Sequence, residues 1–218
     1  MNRRPDALLL DAMGTLIGLR QSVGSSYATL ARDFGLVAEA SAIDRSFPRV
    51  YQQAPPLAFP GLEGDALRSA EIAWWAERIE AALQAALPDP ENQLADGLPA
   101  GLAAALFEHF ADPALWRLYP EVPDCLRRWR ERGLRLAVVS NFDSRLPGLL
   151  EGLGVAEHLH TVVVSSSAGA AKPDPGPYRL ALEALGLPAE AVWHVGDSPE
   201  DDAGARAAGI RCLLVARA

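Results

Sequence analysis

Cysteine is scarce in this chain: Cys125 and Cys212 are the only two in 218 residues, far apart and each beside an apolar neighbour. That excludes a disulfide framework and points to a reduced compartment, so a cytoplasmic protein is expected. Lysine is scarcer still, with Lys172 the only one among 20 basic residues. Long apolar runs are missing as well, since no segment approaches the roughly 18 residues of a membrane span, and no membrane partner is expected. The opening MNRRPDALLLDAMGTLIGL has a basic start and an apolar stretch, but Asp11 interrupts it and no small-residue cleavage site closes it, which argues against a signal peptide. Positive charge is in deficit: 28 acidic residues give a net charge of -8, which repels nucleic acid. The basic cluster Arg127, Arg128, Arg130, Arg132 and Arg135 surrounds Glu131 on a helical stretch and reads as a solvated face. At 50% hydrophobic and 22% charged, the chain is neither disordered nor collagenous. It can form one large domain or two small ones with a proper core.

Short apolar runs bounded by turn residues recur at Ala7 to Leu10, Leu136 to Val139, Thr161 to Val164, Ala191 to Val195 and Cys212 to Val215. Such runs, apolar without alternation, suit strands of a parallel sheet covered on both faces. Between them lie helical patterns with glycine stops, Leu146 to Leu153 before Gly154 and Tyr178 to Leu185 before Gly186. A further helix is expected over Pro123 to Arg132. The alternation is βαβ and predicts a doubly wound α/β core. About a hundred residues separate the first run from the second, far beyond an ordinary crossover, which implies an inserted domain. Its spacing is helical over Ser22 to Phe34 and Asp65 to Leu87, with breaks at Pro55 to Gly64 and Pro88 to Gly101. Re-entry into the core is expected near Trp116 to Tyr119.

Four stretches, three at strand ends and one in a loop before a helix, are candidates to carry chemistry. DAMGTL places Asp11 at the end of the first strand, ahead of a small-residue turn. Ser140 and Asn141 end the second strand before a helix start, an arrangement that caps a helix or binds an anion. AKPDPGPY holds Lys172, where a compact ammonium has been kept in a chain that otherwise uses arginine. HVGDSPEDD ends a strand at Gly196 and Asp197, and Ser198 can cap a helix whose first turn carries Glu200, Asp201 and Asp202. Asp197 lies at a strand's carboxyl end, where open α/β sheets bind ligands.

In this order, with a helical insertion after the first, the four stretches resemble the haloacid dehalogenase-like hydrolase superfamily, in the subfamily IA with a helical cap. The opening stretch is also similar to a REG-2-like branch. The resemblance implies a Rossmann-like core over 1–17 and 117–218, with a cap over 18–116. It implies Asp11 as a nucleophile that becomes phosphorylated, and Lys172 as the charge between nucleophile and phosphate. Thr15 would support the loop on the substrate side, and Ser140 with Asn141 would hold the transferring group's oxygens. Mg²⁺ would be held by Asp11, Asp197 and the backbone carbonyl of Met13, with Asp201 or Asp202 supporting its water shell, Asp201 by its spacing to Gly204 and Gly209. The implied partner is a small phosphorylated metabolite, and the chain would be a monomer or homodimer.

One position departs from the family pattern. Phosphatases of this superfamily usually carry a second Asp two residues after the nucleophile, as acid for the leaving group and then base for water. Here that position is Met13, whose thioether cannot exchange the proton usefully. The 2-haloacid dehalogenases of the superfamily also lack that Asp and carry an aromatic where Tyr178 stands, which makes dehalogenation the competing reading. They work without metal, however, and Asp197 would repel a carboxylate substrate. A phosphonate-cleaving enzyme would need a cap lysine, and the cap has none. A third reading is a noncatalytic or weakly active fold that binds ligand. His158 and His160 have no nearby Cys or third His and read as a solvated strand entry, His194 reads as packed within its strand, and Trp74 with Trp75 reads as cap core.

Overall fold

The apolar runs form the strands of one parallel sheet in the computed structural model, which describes residues 4–217, the side chain of Asn92 excepted. In chain order the strands are β1 (Ala7–Leu10), β2 (Ile17–Leu19), β3 (Trp116–Leu118), β4 (Arg135–Ser140), β5 (Thr161–Val164), β6 (Val192–Gly196) and β7 (Arg211–Leu214). The five-stranded sheet runs β5-β4-β1-β6-β7, and β2 with β3 makes a separate two-stranded ribbon. All pairs in the larger sheet are parallel, and Leu10 lies opposite both Val138 of β4 and Val195 of β6. Consequently the carboxyl ends of β1, β4 and β6 finish at nearly one level. The chain winds outward from β1 through β4 to β5, then returns to place β6 on the other side of β1. That reversal opens a crevice between β1 and β6, the place where doubly wound sheets bind ligands.

Among the described residues ten α-helices accompany them: α1 (Val23–Asp33), α2 (Ala40–Gln52), α3 (Gly64–Gln84), α4 (Pro90–Gln93), α5 (Leu102–His109), α6 (Val122–Glu131), α7 (Leu146–Gly152), α8 (Ser165–Ala168), α9 (Gly176–Leu185) and α10 (Pro199–Ala207). One compact unit comprises 4–18, 56–67 and 116–217. Its core sets Tyr178, Ala181 and Leu185 of α9 and Ala205 of α10 against Ala7, Leu9, Ala137, Val139 and Val192 of the sheet. A fully buried leucine such as Leu9 contributes about 1.5–3 kcal/mol, so the fold rests on these faces and leaves the strand-end loops free for polar groups.

The second unit, Leu19–Pro55 with Arg68–Leu115, is helical. Ser22 caps α1 through the amide of Ser25, and Gly24 lets α1 approach α2, since a Cβ there would lie 2.1 Å from the carbonyl of Ala40. Trp74 is buried, its indole Nε1 donating to the Pro55 carbonyl at 3.0 Å, and Arg78 stacks over its ring at 4.6 Å. Two helices here are not announced by the spacing. Helix α2 carries Pro48 in its interior, which reads as a break, while α5 is LAAALFEH, with no polar face over its first six residues.

The segment Pro56–Leu67 lies inside the expected 18–116 insertion, yet it belongs to the sheet-bearing unit. The Phe59 amide donates to the Ser166 carbonyl at 3.0 Å, and the Ser165 hydroxyl to the Leu57 carbonyl at 2.7 Å. Both cysteines are free thiols. Among the described residues no helix is long and apolar enough to cross a membrane.

Candidate active site

Asp11 follows β1, and its amide donates to the Val195 carbonyl of β6 at 2.9 Å, so the sheet itself fixes its backbone. The next residues fold back: the amides of Thr15, Leu16 and Ile17 all donate to the Ala12 carbonyl at 2.8–3.2 Å. Gly14 has φ +81°, and a Cβ on it would lie 2.0 Å from Oδ2 of Asp197. Glycine is therefore required twice, by backbone conformation and by the approach of the β1 loop to the end of β6.

The Asp11 carboxylate is buried, and its Oδ1 accepts from the Ser140 hydroxyl at 3.0 Å and from Lys172 Nζ at 2.6 Å. Among the described residues nothing donates to its Oδ2. Lys172 has all three donors engaged, on Asp11, on Asp201 Oδ1 at 2.6 Å and on the Val139 carbonyl at 3.2 Å. Burial pushes the lysine pKa down, but the two carboxylates outweigh it and hold the ammonium above its ordinary range. Asn141 sits beside this arrangement in an unexpected posture. Its side-chain amide donates to the Lys172 carbonyl at 2.9 Å and accepts from the Lys172 amide at 2.7 Å. Both ends are thus engaged in fixing the lysine loop, leaving Ser140 as the side chain of that pair beside Asp11.

Asp201 is the most heavily coordinated group in the site. It closes a capping box with Ser198 at the start of α10. Its Oδ2 accepts from the Ser198 hydroxyl at 2.7 Å and from the amides of Asp197 and Ser198, while its Oδ1 accepts from Lys172 and from His194 Nε2 at 2.9 Å. Burial alone would raise its pKa, but His194, Lys172 and Ser198 hold it well below the carboxylate range. Tyr178 supports it from the core, donating to the Asp201 carbonyl at 3.1 Å with its ring edge-on to His194. Asp202, the alternative, points outward to Arg206 at 3.0 Å. His194 and the Tyr178 hydroxyl are partners the spacing does not reveal. Thr15 is buried too, and its Oγ1 has no hydrogen-bond partner among the described residues. Met13 is 44% exposed.

Asp197 completes the group from the opposite side. It is exposed, and no other side chain donates to its carboxylate among the described residues. Partial burial first, then the charges of Asp11 and Asp201, raise its pKa. One carboxylate oxygen from each of Asp11, Asp197 and Asp201 lies within 4.8 Å of the others. This donor set fits Mg²⁺, which takes one or two carboxylates and keeps several waters. The two oxygens of Asp201 already carry donors, so Asp11 Oδ2 and Asp197 are the oxygens left to a cation.

A raised carboxylate pKa stabilises the fold below the unfolded value and loses that contribution as pH rises through the folded one. At neutral pH the Asp197 charge therefore weakens the metal-free protein. Asp197→Asn is expected to melt higher than wild type in EDTA, and to lose the rise in Tm that millimolar Mg²⁺ gives wild type. Thermal denaturation with and without the ion checks both. A wild-type Tm indifferent to Mg²⁺ would remove the cation from the site.

Fold and site together define a doubly wound α/β protein with a buried carboxylate–lysine cluster at its strand ends. The chain belongs to the haloacid dehalogenase-like hydrolases, whose family model matches residues 5–209. It is similar to haloacid dehalogenase-like hydrolase domain-containing protein 3 of Bos taurus, 39% identical over 213 residues that make up 96% of this chain and 81% of that one. It is also similar to the phosphoserine phosphatase of Thermus thermophilus, 36% identical over 163 residues, covering 72% of this chain and 60% of that one. Among solved structures, the L-2-haloacid dehalogenase of Xanthobacter autotrophicus with chloropropionic acid covalently bound has a TM-score of 0.66 at 21% identity, covering 98% of this chain and 78% of that one. That likeness is one of fold alone.

Proposed function

We propose that this hydrolase is a Mg²⁺-dependent phosphohydrolase of a small phosphorylated metabolite, acting through an aspartyl-phosphate on Asp11, with the helical insertion as its cap. The observation that carries this reading is the pair Asp11 and Asp197. An uncompensated carboxylate beside the nucleophile suits a cation and a phosphate, and opposes the anionic substrate of a metal-free dehalogenase. Tyr178 gives dehalogenation no support either, since it is buried in the core with its hydroxyl on the Asp201 carbonyl.

In this reading the Asp11 carboxylate attacks phosphorus, the bond to the leaving oxygen breaks, and that oxygen departs with the electron pair. Water then attacks the aspartyl-phosphate, releasing inorganic phosphate and restoring the carboxylate. Lys172 stays bound to Asp11 Oδ1 throughout, offsetting charge that would repel the incoming phosphate. Ser140 donates to Asp11 and holds it in orientation, and Asn141 keeps the Lys172 loop in place. Asp11, Asp197 and the Met13 carbonyl would hold Mg²⁺, which when bound neutralises charge on the phosphoryl oxygens. Asp201 supports that site from behind, through the amides of Asp197 and Ser198.

The test is a panel of aryl, acyl and alkyl phosphates and 2-haloacids, run with Mg²⁺ and with EDTA. Phosphate release that needs Mg²⁺ and stops in Asp11→Asn is expected. Haloacid consumption that survives EDTA would make the protein a dehalogenase, the second reading that Met13 favours. Neither activity would make it a binding protein.

A further inference from the structure

After β7 the chain stays beside the catalytic edge, the Val215 amide donating to the Gly196 carbonyl at 2.8 Å. Two residues later Arg217 reaches across to the β1 loop. Its Nε donates to the Gly14 carbonyl at 3.2 Å and its Nη2 to the Thr15 carbonyl. Its Nη1 pairs with Glu121, and the guanidinium lies 3.8 Å over the ring of Tyr119. Tyr119 is itself tied to the loop through its amide, which donates to the Leu16 carbonyl at 3.1 Å.

Gly14 is the weak point of that loop. The approach of Asp197 forbids a side chain there, and a glycine rotates more freely than any other residue. The rotation of Gly14 decides where the preceding carbonyl, that of Met13, is aimed. A planar guanidinium with five fixed donors is suited to hold two consecutive carbonyls at once, and stacking on Tyr119 limits its own freedom. We propose that Arg217 is a positioning residue that clamps the Gly14 and Thr15 carbonyls, so that the Met13 carbonyl and the Asp11 carboxylate keep the placement the site needs for its cation. The role of that cation rests on the function proposed above; the clamp itself does not.

As a stability element Arg217 matters little, because its side chain is 27% exposed and that of Glu121 50%, and ion pairs so exposed contribute little. Variants should therefore fold. The experiment compares wild type, Arg217→Ala and Arg217→Lys in the full chain by amide hydrogen exchange, Mg²⁺ calorimetry and thermal denaturation in EDTA. Exchange at residues 12–17 is expected to rise by about tenfold in Arg217→Ala, with protection of β4 and β6 and the Tm unchanged. Mg²⁺ affinity is expected to fall by about 10–100-fold, as when a group that orients a metal ligand is removed. Arg217→Lys should resemble alanine, since one ammonium cannot serve both carbonyls and Glu121. Wild-type exchange at 12–17 in Arg217→Ala overturns the clamp, as does a rise spread evenly over the whole sheet. If wild type binds no Mg²⁺, the proposed function fails, and the exchange data alone judge Arg217.

Discussion

Lys172→Ala is expected to lower kcat on an aryl phosphate by about 10²–10³ or more, the scale of losing one preorganised charge donor, and to destabilise the fold by about 3–5 kcal/mol, the scale of breaking a buried pair. Both effects have one origin. Lys172 Nζ is shared by Asp11 and Asp201 at 2.6 Å each, and both carboxylates are buried. Without the ammonium they face each other with no cation between them. Lys172→Arg is expected to be nearly as damaging, because a planar guanidinium cannot fill a space where a point charge meets two carboxylates and the Val139 carbonyl. The pH dependence follows from the directions of the shifts. The lysine's raised pKa gives stability that is fully present below the ordinary lysine range of about 10.4 and lost as pH rises through the folded value. The lowered pKa of Asp201 gives stability present above about 3.9 and lost as pH falls through the folded value. Between those limits the wild-type contribution is flat. Steady-state rates and denaturant midpoints measure the two losses separately, and wild-type values in Lys172→Arg would show that any cation serves.

The central strands β1 and β4 were legible because burial on both faces leaves an unbroken apolar run, whereas the edge strand β7 is apolar in sequence yet mostly exposed, and the short β2 and β3 leave no such run. The strand-end polar residues were legible for the same reason, as the first residues that run cannot accommodate. What side chains do to one another across loops was not. Asn141 reads as a phosphate ligand, yet its amide is matched to both backbone groups of Lys172, thirty-one residues on. His194 reads as packing, and it is packed, but its Nε2 also serves Asp201. The spacing of neither residue encodes its partner. Arg217 is the extreme case, since its contacts lie more than two hundred residues away at Gly14 and Thr15. The Pro56–Leu67 segment misleads for a different reason. Its prolines and glycines read as a break within the insertion, while Leu57 is buried in the sheet-bearing unit.

Met13→Asp is expected to raise turnover of alkyl phosphates by about 10² or more, the scale of a general acid and base. Lys172 and Asp201 are bound to each other and Ser140 donates to Asp11, so none of the three supplies the missing proton. In wild type, leaving groups that depart without a proton, such as aryl or acyl phosphates, should therefore be turned over much better than alkyl ones. The new carboxylate serves both halves of the reaction, protonating the leaving oxygen and then accepting a proton from the attacking water. An aryl phosphate needs only the second service, so its gain should appear in breakdown of the aspartyl-phosphate and not in its formation. Burst and single-turnover kinetics separate the two steps. The substitution should leave the fold intact, because Met13 is 44% exposed and little core packing is lost. It does add a negative charge beside Asp11 and Asp197, so in EDTA the variant should melt below wild type, and Mg²⁺ should raise its Tm more. Equal gains on aryl and alkyl substrates would mean that proton delivery is not what Met13 withholds. A wild type that already prefers alkyl phosphates would mean that another group delivers the proton.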